Sequence, residues 1–296
     1  MMNPRMLGSL RAVAPSPAPS PFIKWAGGKS QILEKLRRFF PPPSESATYF
    51  EPFLGGGAVF FDYGPSRAYL SDSNRALVLT YRSVKDDLAE LLRNLAELPP
   101  PSSPADYYEK RSEFNRLILS SSEPGRRRRV RIASLFIWLN HTCYNGLYRV
   151  NRKGEFNVPM GSYSNPSIYS PANLKIAHRA LVQAHAQIER VDYAMALALA
   201  QDGDFAYLDP PYQPVSETAK FTSYTKEGFD LKEQERLSHA IHDAVARGVR
   251  VVLSNSATPA IQSLYKDMEM DVVKAPRAIN CVGSKRAAVD ELVVVG

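Results

Sequence analysis

The stretch ATYFEPFLGGGAVFFDYG, from Ala47 to Gly64, restricts the fold more than any other part of the chain. It reads as a short apolar strand over about Thr48 to Pro52, a turn of three glycines at Gly55 to Gly57, and a helix starting near Ala58. RAYLSDSN follows as a second strand ending in Asp72. A strand, a glycine turn, a helix and then an acid at the end of the next strand, about 20 residues on, is how a doubly wound sheet grips an adenosine moiety. The carboxylate hydrogen-bonds the ribose hydroxyls. The glycine pattern is looser than the dinucleotide GxGxxG, so a plain tight turn between strand and helix accounts for it equally well.

The last third repeats this rhythm. DFAYLDPPY ends a buried strand at Asp209, and DLKEQERLSHAIHDAVARG is a helix with Asp230 and Glu233 as a capping box and Gly248 as its stop. VRVVLSNS is another buried strand, and MDVVKAPRAI and VDELVVVG read as a closing antiparallel pair around the polar turn NCVGSKRAA. Between the two α/β portions, roughly Arg75 to Ala172, RALVLTYRSVKDDLAELLRNLAEL and YYEKRSEFNRLIL are helical, with PPPSSPAD between them. RRRRVRIASLFIWLN is a helix with an arginine-loaded first turn. HTCYNGLYRVNRKGEFNVPMGSYSNPSIYS then carries Asn-Gly and Lys-Gly turn signals that favour a hairpin or ordered loops.

Charge separates the middle from the rest. The net charge is +7, and residues 107 to 153 hold eleven Lys and Arg against three Glu, leaving 26 basic and 27 acidic residues elsewhere. One basic block on a near-neutral chain is the footprint expected of a nucleic-acid surface, because Lys and Arg displace condensed counterions from phosphates. A solvated helix face or a localisation patch has the same charge signature. No apolar run approaches the ~18 residues that span a bilayer. Residues 1 to 20 contain Arg5 and Arg11 with no acid before Glu34, which leaves a transit peptide open, while their Pro, Ser and Ala content favours a disordered tail. Cys143 and Cys281 are too far apart in sequence for a Cys-x-x-Cys pair, and His141 beside Cys143 lacks a second ligand pair, so both read as structural and no metal is expected.

PFIKWAGGKS, Pro21 to Ser30, ends like a phosphate-binding loop. That loop needs a glycine where Ile23 stands and a buried strand before it, whereas PSPAPS precedes it here. Trp25, Gly27, Gly28 and Lys29 therefore serve something other than ATP.

Leu208 to Tyr212, LDPPY, is the sharpest chemical signal. An acid at the carboxyl end of a strand sits where open α/β sheets hold ligands. Two prolines then fix the turn and remove two N–H donors while keeping two carbonyl acceptors. Asp209 and the Pro210 carbonyl can each accept one hydrogen of an amino group, with Tyr212 stacking on the attached ring. A rigid polar turn without a ligand is the plainer reading.

WAGGK, FEPFLGGGAVF, LSDSN, CYNGLYRVNRKGEFNVPMG, DPPYQPVSETAKFTSY, LSNS and RAINCVGSKRAAVDELVVV occur in the order seen in Dam-type DNA adenine methyltransferases, and this resemblance covers nearly all of Pro21 to Gly296. It implies an α/β, Rossmann-like methyltransferase sheet with a mainly helical inserted target-recognition domain. The expected division is a disordered tail at 1–20, a catalytic domain at 21–75 and 173–296, and a target-recognition domain at 76–172. The resemblance implies S-adenosylmethionine as donor and the exocyclic amine of a flipped adenine in duplex DNA as acceptor, usually within GATC. It further implies a cytoplasmic, nucleoid-associated monomer, either solitary or part of a restriction-modification pair.

Carried over by position, Trp25, Lys29, Phe53, Gly55, Gly57, Asp72 and Asp209 resemble cofactor contacts, with Lys29 reaching the cofactor carboxylate. Asp209, Pro210, Pro211 and Tyr212 resemble the catalytic turn. Tyr144 would enter the opened base stack, Asn145 would contact DNA beside it, and Leu147, Arg149 and Pro159 would touch base edges, although Arg149 also suits a phosphate. Arg126, Arg127, Arg128 and Arg129 would hold the DNA backbone. The proton released on transfer would go to water or to Asp209. Amino methylation of cytosine or of a glutamine amide presents the same N–H₂ edge, and a DNA-binding regulator on a disused methyltransferase scaffold is the alternative of another class.

Overall fold

In a computed structural model the chain is described over residues 19–212, 229–275 and 289–296. Helix α1 (Leu33–Leu36) precedes β1 (Tyr49–Glu51), which leads through the glycine turn into α2 (Ala58–Tyr63) and then β2 (Ala68–Ser71). Five helices follow before the next strand: α3 (Arg75–Asp86), α4 (Leu88–Ala96), α5 (Pro104–Ile118), α6 (Arg126–Thr142) and α7 (Pro171–Gln183). The chain continues as β3 (Gln187–Glu189), α8 (Tyr193–Leu199), β4 (Phe205–Leu208), α9 (Leu231–Ala246), β5 (Arg250–Ser256), α10 (Pro259–Leu264), β6 (Glu269–Ala275) and β7 (Val289–Val295).

The strands form one sheet in the order β3-β2-β1-β4-β5-β7-β6. β3, β2, β1, β4 and β5 are mutually parallel, and β7 runs antiparallel to both β5 and β6. This is the doubly wound sheet with a closing antiparallel pair that the sequence rhythm predicts; the turn NCVGSKRAA and Cys281 lie outside the described residues.

Both faces of the sheet are covered, which is why its strands read as unbroken apolar runs. Period-two alternation divides them. Phe205 and Tyr207 face the α1–α7 side together with Tyr49, Val252 and Val293. Ala206 and Leu208 face α8–α10 together with Phe50, Val251, Leu253, Leu292 and Val294.

The helices start where side chains can take their free N–H groups. Asn74 accepts from Ala76 and Leu77 at α3, Ser103 precedes Pro104 at α5, and Ser170 precedes Pro171 at α7. Asp230 accepts from the Glu233 N–H at α9. The reciprocal half of the predicted capping box is replaced, because the Glu233 carboxylate takes the Tyr193 hydroxyl at 2.9 Å and Arg236 at 3.2 Å. Ser20, at the end of the expected tail, is hydrogen-bonded in both directions to Asn173 of α7.

The turn-rich segment after α6 is a hairpin-like excursion. Gly161 bonds back to Thr142, Tyr144 to Pro159, and Asn157 to Arg149, and the Asn151 side chain caps the tip by accepting from the Lys153 and Glu155 N–H groups. Helix α5 anchors one arm: Tyr107 and Arg111 donate to the Val158 carbonyl, and Asn115 pairs both ways with Phe156.

Candidate active site

β1 and β4 are neighbours, yet β1 continues toward β2 on one side while β4 continues toward β5 on the other. Ligands of doubly wound sheets bind in the crevice beyond the carboxyl ends of strands at such a switch point. The turn after β1 and the turn after β4, Asp209 to Tyr212, both open there.

Lys29 is the cation of this crevice. It is buried, its Nζ lies 2.7 Å from Asp209 Oδ1 and 3.8 Å from Glu291 Oε1, and it donates to the Gly27 carbonyl at 3.0 Å. Tyr212 presents its ring 4.9 Å from the same Nζ. Burial pushes the Asp209 carboxyl above the usual carboxylate range, against the pull of the Lys29 ammonium. Burial likewise raises Glu291, again opposed by Lys29. Among the described residues, the Tyr212 hydroxyl and Glu291 Oε1 are both buried without a well-formed hydrogen bond.

The glycine turn is built around Trp25 and Asp72. Gly55 has φ 48°, and an added Cβ would lie 2.8 Å from Trp25 Cδ1. Its N–H donates to Asp72 Oδ2 at 3.1 Å, while the Asn74 N–H takes Oδ1 at 2.9 Å. Asp72 thereby ties the first turn to the end of the second strand. Burial pushes its carboxyl up to about 6, opposed by those backbone donors. Trp25 also stacks on Tyr148 of the hairpin, with ring centroids 6.1 Å apart. Phe53 turns the other way: its ring stacks on Tyr193 at 5.2 Å and packs edge-on to Phe229, on the α8–α9 side of the sheet.

The Pro-Pro turn is held from below. Gln234 of α9 donates to the Pro211 carbonyl at 2.9 Å, and Asn255 of β5 donates to the Gln234 side-chain oxygen at 2.9 Å. The Pro210 carbonyl has no hydrogen-bond partner among the described residues, so it remains an open acceptor next to Asp209.

Of the residues expected to face DNA, Tyr144 and Pro159 are exposed and joined by a backbone hydrogen bond of 2.9 Å. Asn145 adopts φ 54° in the turn that carries them, and Leu147 is half-buried against the hairpin base. Arg149 is exposed, with its Nε held at 2.8 Å by the Asn157 side chain. The arginines of α6 are placed differently from a free basic face. Arg126 and Arg129 both reach the buried Asp87 carboxylate, at 2.8 and 2.6 Å, and Arg128 is bonded to Ser120 and Ser122. Arg127 is the exposed member without a partner among the described residues.

Sequence reasoning missed three contributors. Glu51 closes β1, is buried, and receives the Tyr49 hydroxyl at 2.8 Å; burial pushes its carboxyl up to about 8, with the Asp209 charge adding to the rise. Glu291 and the Gln234–Asn255 pair are the others. A carboxylate inside or ending an apolar strand, as in YFEP and VDELVVV, was the available signal. His141 and Cys143 pack internally, on the Phe22 and Leu147 carbonyls. Among the described residues no His, Cys, Asp and Glu group is placed to hold a metal ion, and no helix is long and apolar enough to cross a membrane.

Comparison with known proteins assigns the family. A family model described as D12 class N6 adenine-specific DNA methyltransferase matches residues 25–279. The chain is 38% identical over 275 residues to the type II methyltransferase M1.LlaDCHI of Lactococcus lactis subsp. cremoris, covering 93% of this chain and 94% of that protein. It is 39% identical over 281 residues to the type II methyltransferase M.MjaIII of Methanocaldococcus jannaschii, covering 90% and 94%. It is also 38% identical over 276 residues to the DNA adenine methylase of Escherichia coli, covering 93% and 94%. With a Rossmann-like sheet, an acid and two prolines at its switch point and relatives aligned over almost the full length, the chain belongs to the D12 class N6 adenine-specific DNA methyltransferases.

Proposed function

We propose that this adenine-specific DNA methyltransferase uses S-adenosylmethionine and acts on an adenine flipped out of duplex DNA, within GATC. The observation that carries the reading is the pair of adjacent acceptors at the end of β4, the Asp209 carboxylate and the Pro210 carbonyl, which has no partner among the described residues, in a crevice with the buried Lys29.

The residues fit the cofactor. Asp72, Asp209 and Glu291 surround the crevice with Lys29 as its cation, carboxylates suited to a ligand bearing a sulfonium and an ammonium, while Glu51, pushed up to about 8, keeps its proton at neutral pH. Gly55 and Gly57 keep the turn free of side chains that Trp25 and Tyr81 would exclude. Asp72 would bind the ribose, Trp25 the apolar flank, and Lys29 the carboxylate. When bound, the cofactor supplies a methyl group already activated on sulfur.

Asp209 and Pro210 act on the acceptor. The amino nitrogen of adenine is a poor nucleophile because its lone pair is delocalised into the ring. Two N–H hydrogen bonds, to the Asp209 carboxylate and the Pro210 oxygen, return electron density to nitrogen and orient its lone pair. The Gln234 bond to Pro211 fixes the geometry, so positioning supplies much of the rate. Extruding a base costs a few kcal/mol, and stacking on the Tyr212 ring, at ~1–3 kcal/mol, offsets much of it. Asp209, whose proton affinity burial has raised, is suited to take the proton that leaves.

The hairpin of Tyr144, Arg149 and Pro159 would read the sequence, and the segment 76–172 would form the recognition domain inserted into catalytic segments 21–75 and 173–296. The test is expression in a host without adenine methylation, followed by digestion of its DNA with enzymes that differ in sensitivity to methylated GATC. Protection at GATC is expected. Protection at other sites would remove the specificity, and no labelled methyl on adenine would overturn the reading.

A further inference from the structure

Resting on that reading, the geometry points to a second seat for Lys29: we propose that Glu291 is a positioning residue that, together with the cofactor carboxylate, receives the Lys29 ammonium when cofactor binds, freeing Asp209 to accept the adenine amine. Two observations carry it. Lys29 Nζ is 2.7 Å from Asp209 Oδ1 but 3.8 Å from Glu291 Oε1, so the cation sits on the very carboxylate that must accept a substrate N–H. Among the described residues Glu291 Oε1 is a buried oxygen without a well-formed hydrogen bond, near the Tyr212 and Ser254 hydroxyls, an arrangement that ordinarily costs free energy and leaves room for a stronger partner.

The chemistry requires the exchange. A carboxylate already carrying an ammonium at hydrogen-bond distance is a weaker acceptor, because its charge is partly neutralised. Glu291 lies on β7, paired with Ser256 of β5 and Val273 of β6, so the backbone holds its position in the sheet. Closing the gap from 3.8 Å to a bond of about 3 Å takes a small rotation of a lysine side chain, not a backbone movement. The Tyr212 ring beside Nζ gives the ammonium a favourable surface between the two seats. Lys29 keeps its bond to the Gly27 carbonyl as a pivot.

The first test is structural: the complex of the whole enzyme with S-adenosylhomocysteine. Lys29 Nζ is expected within about 3.2 Å of Glu291 Oε1 and beyond hydrogen-bond reach of Asp209. An ammonium that remains on Asp209 Oδ1 in that complex overturns the proposal. The second is kinetic, by single-turnover transfer of labelled methyl to duplex DNA. Glu291→Gln is expected to slow transfer about tenfold, the size of one weakened charge-assisted hydrogen bond. S-adenosylhomocysteine affinity should change less than about threefold, because the cofactor carboxylate still draws the ammonium when Glu291 is neutralised. In a Lys29→Met background the same substitution should cost nothing further, since the two act as one unit. Independent, multiplying losses overturn the proposal. If Glu291→Gln does not fold, Glu291→Asp replaces it, with the charge kept but withdrawn by one methylene and the same split expected. Wild-type enzyme that transfers no methyl to DNA would sink the functional reading instead, whatever the position of Lys29.

Discussion

Gly57 carries a φ of 68°, and a Cβ built on it would lie 2.5 Å from the Tyr81 hydroxyl, which is buried. Neither the backbone nor the neighbour can yield easily. Gly57→Ala should destabilise the protein by about 1–3 kcal/mol, read as a lower urea midpoint. An unchanged midpoint would show that the turn relaxes. Arg149 makes the corresponding case on the proposed DNA face, because its guanidinium is exposed and steadied by Asn157. Arg149→Ala should cost ~1–3 kcal/mol of discrimination at one base pair, while equal losses on cognate and altered duplexes would assign it to phosphate. At this scale the sequence displays the glycines and LDPPY, since each has a backbone reason that local pattern exposes. It conceals the Lys29–Asp209 pair, because the two residues meet only through sheet order. Glu51 and Glu291 are marked only by an acid set in an apolar strand, a pattern that an outward-facing position shares.

The break between α3 and α4 shows how an element can depend on distant charge. Asp87 is buried at that break and receives Arg126 and Arg129 from the first turn of α6. Four successive arginines at a helix N-terminus oppose the helix dipole, and the buried carboxylate compensates. Asp87→Ala should therefore destabilise by about 1–3 kcal/mol, at the lower end of buried-pair losses because Arg126 is largely exposed. Arg129→Ala should share that loss, whereas Arg127→Ala should leave stability intact and reduce the salt slope of DNA binding by about one. Equal effects of the two arginines on DNA affinity would contradict this division. The basic block looks unopposed in sequence because Asp87 and Glu90 lie outside it. Charge counting locates the block, and only the packing of α6 against α4 separates the structural arginines from the free one.

Across the whole molecule, the crevice collects carboxylates at one edge of the sheet, and their titration sets a pH dependence. Folding raises Glu51 from 4.5 to about 8 and Asp72 from 3.8 to about 6. A carboxyl with a raised folded value holds its proton more tightly when folded, so this stability is full below the unfolded values and is lost as pH rises through the folded ones. Stability of the cofactor-free enzyme should decline between about pH 4 and 8, by up to ~1.4 kcal/mol per pH unit for each proton. Glu51→Gln should flatten the upper part of that decline in urea midpoints measured across pH, and curves that run parallel would refute it. The α/β sheet and its closing antiparallel pair were legible because the strands are buried on both faces and read as apolar runs, whereas the electrostatics at the strand ends depend on which strands adjoin.

Activation of the adenine amine by the proposed acceptors at the end of β4 is read from single-turnover methyl transfer from labelled cofactor to duplex DNA by Asp209→Ala, with folding checked in parallel. A folded enzyme slowed by about 100-fold or more is expected. Transfer at the wild-type rate would contradict it.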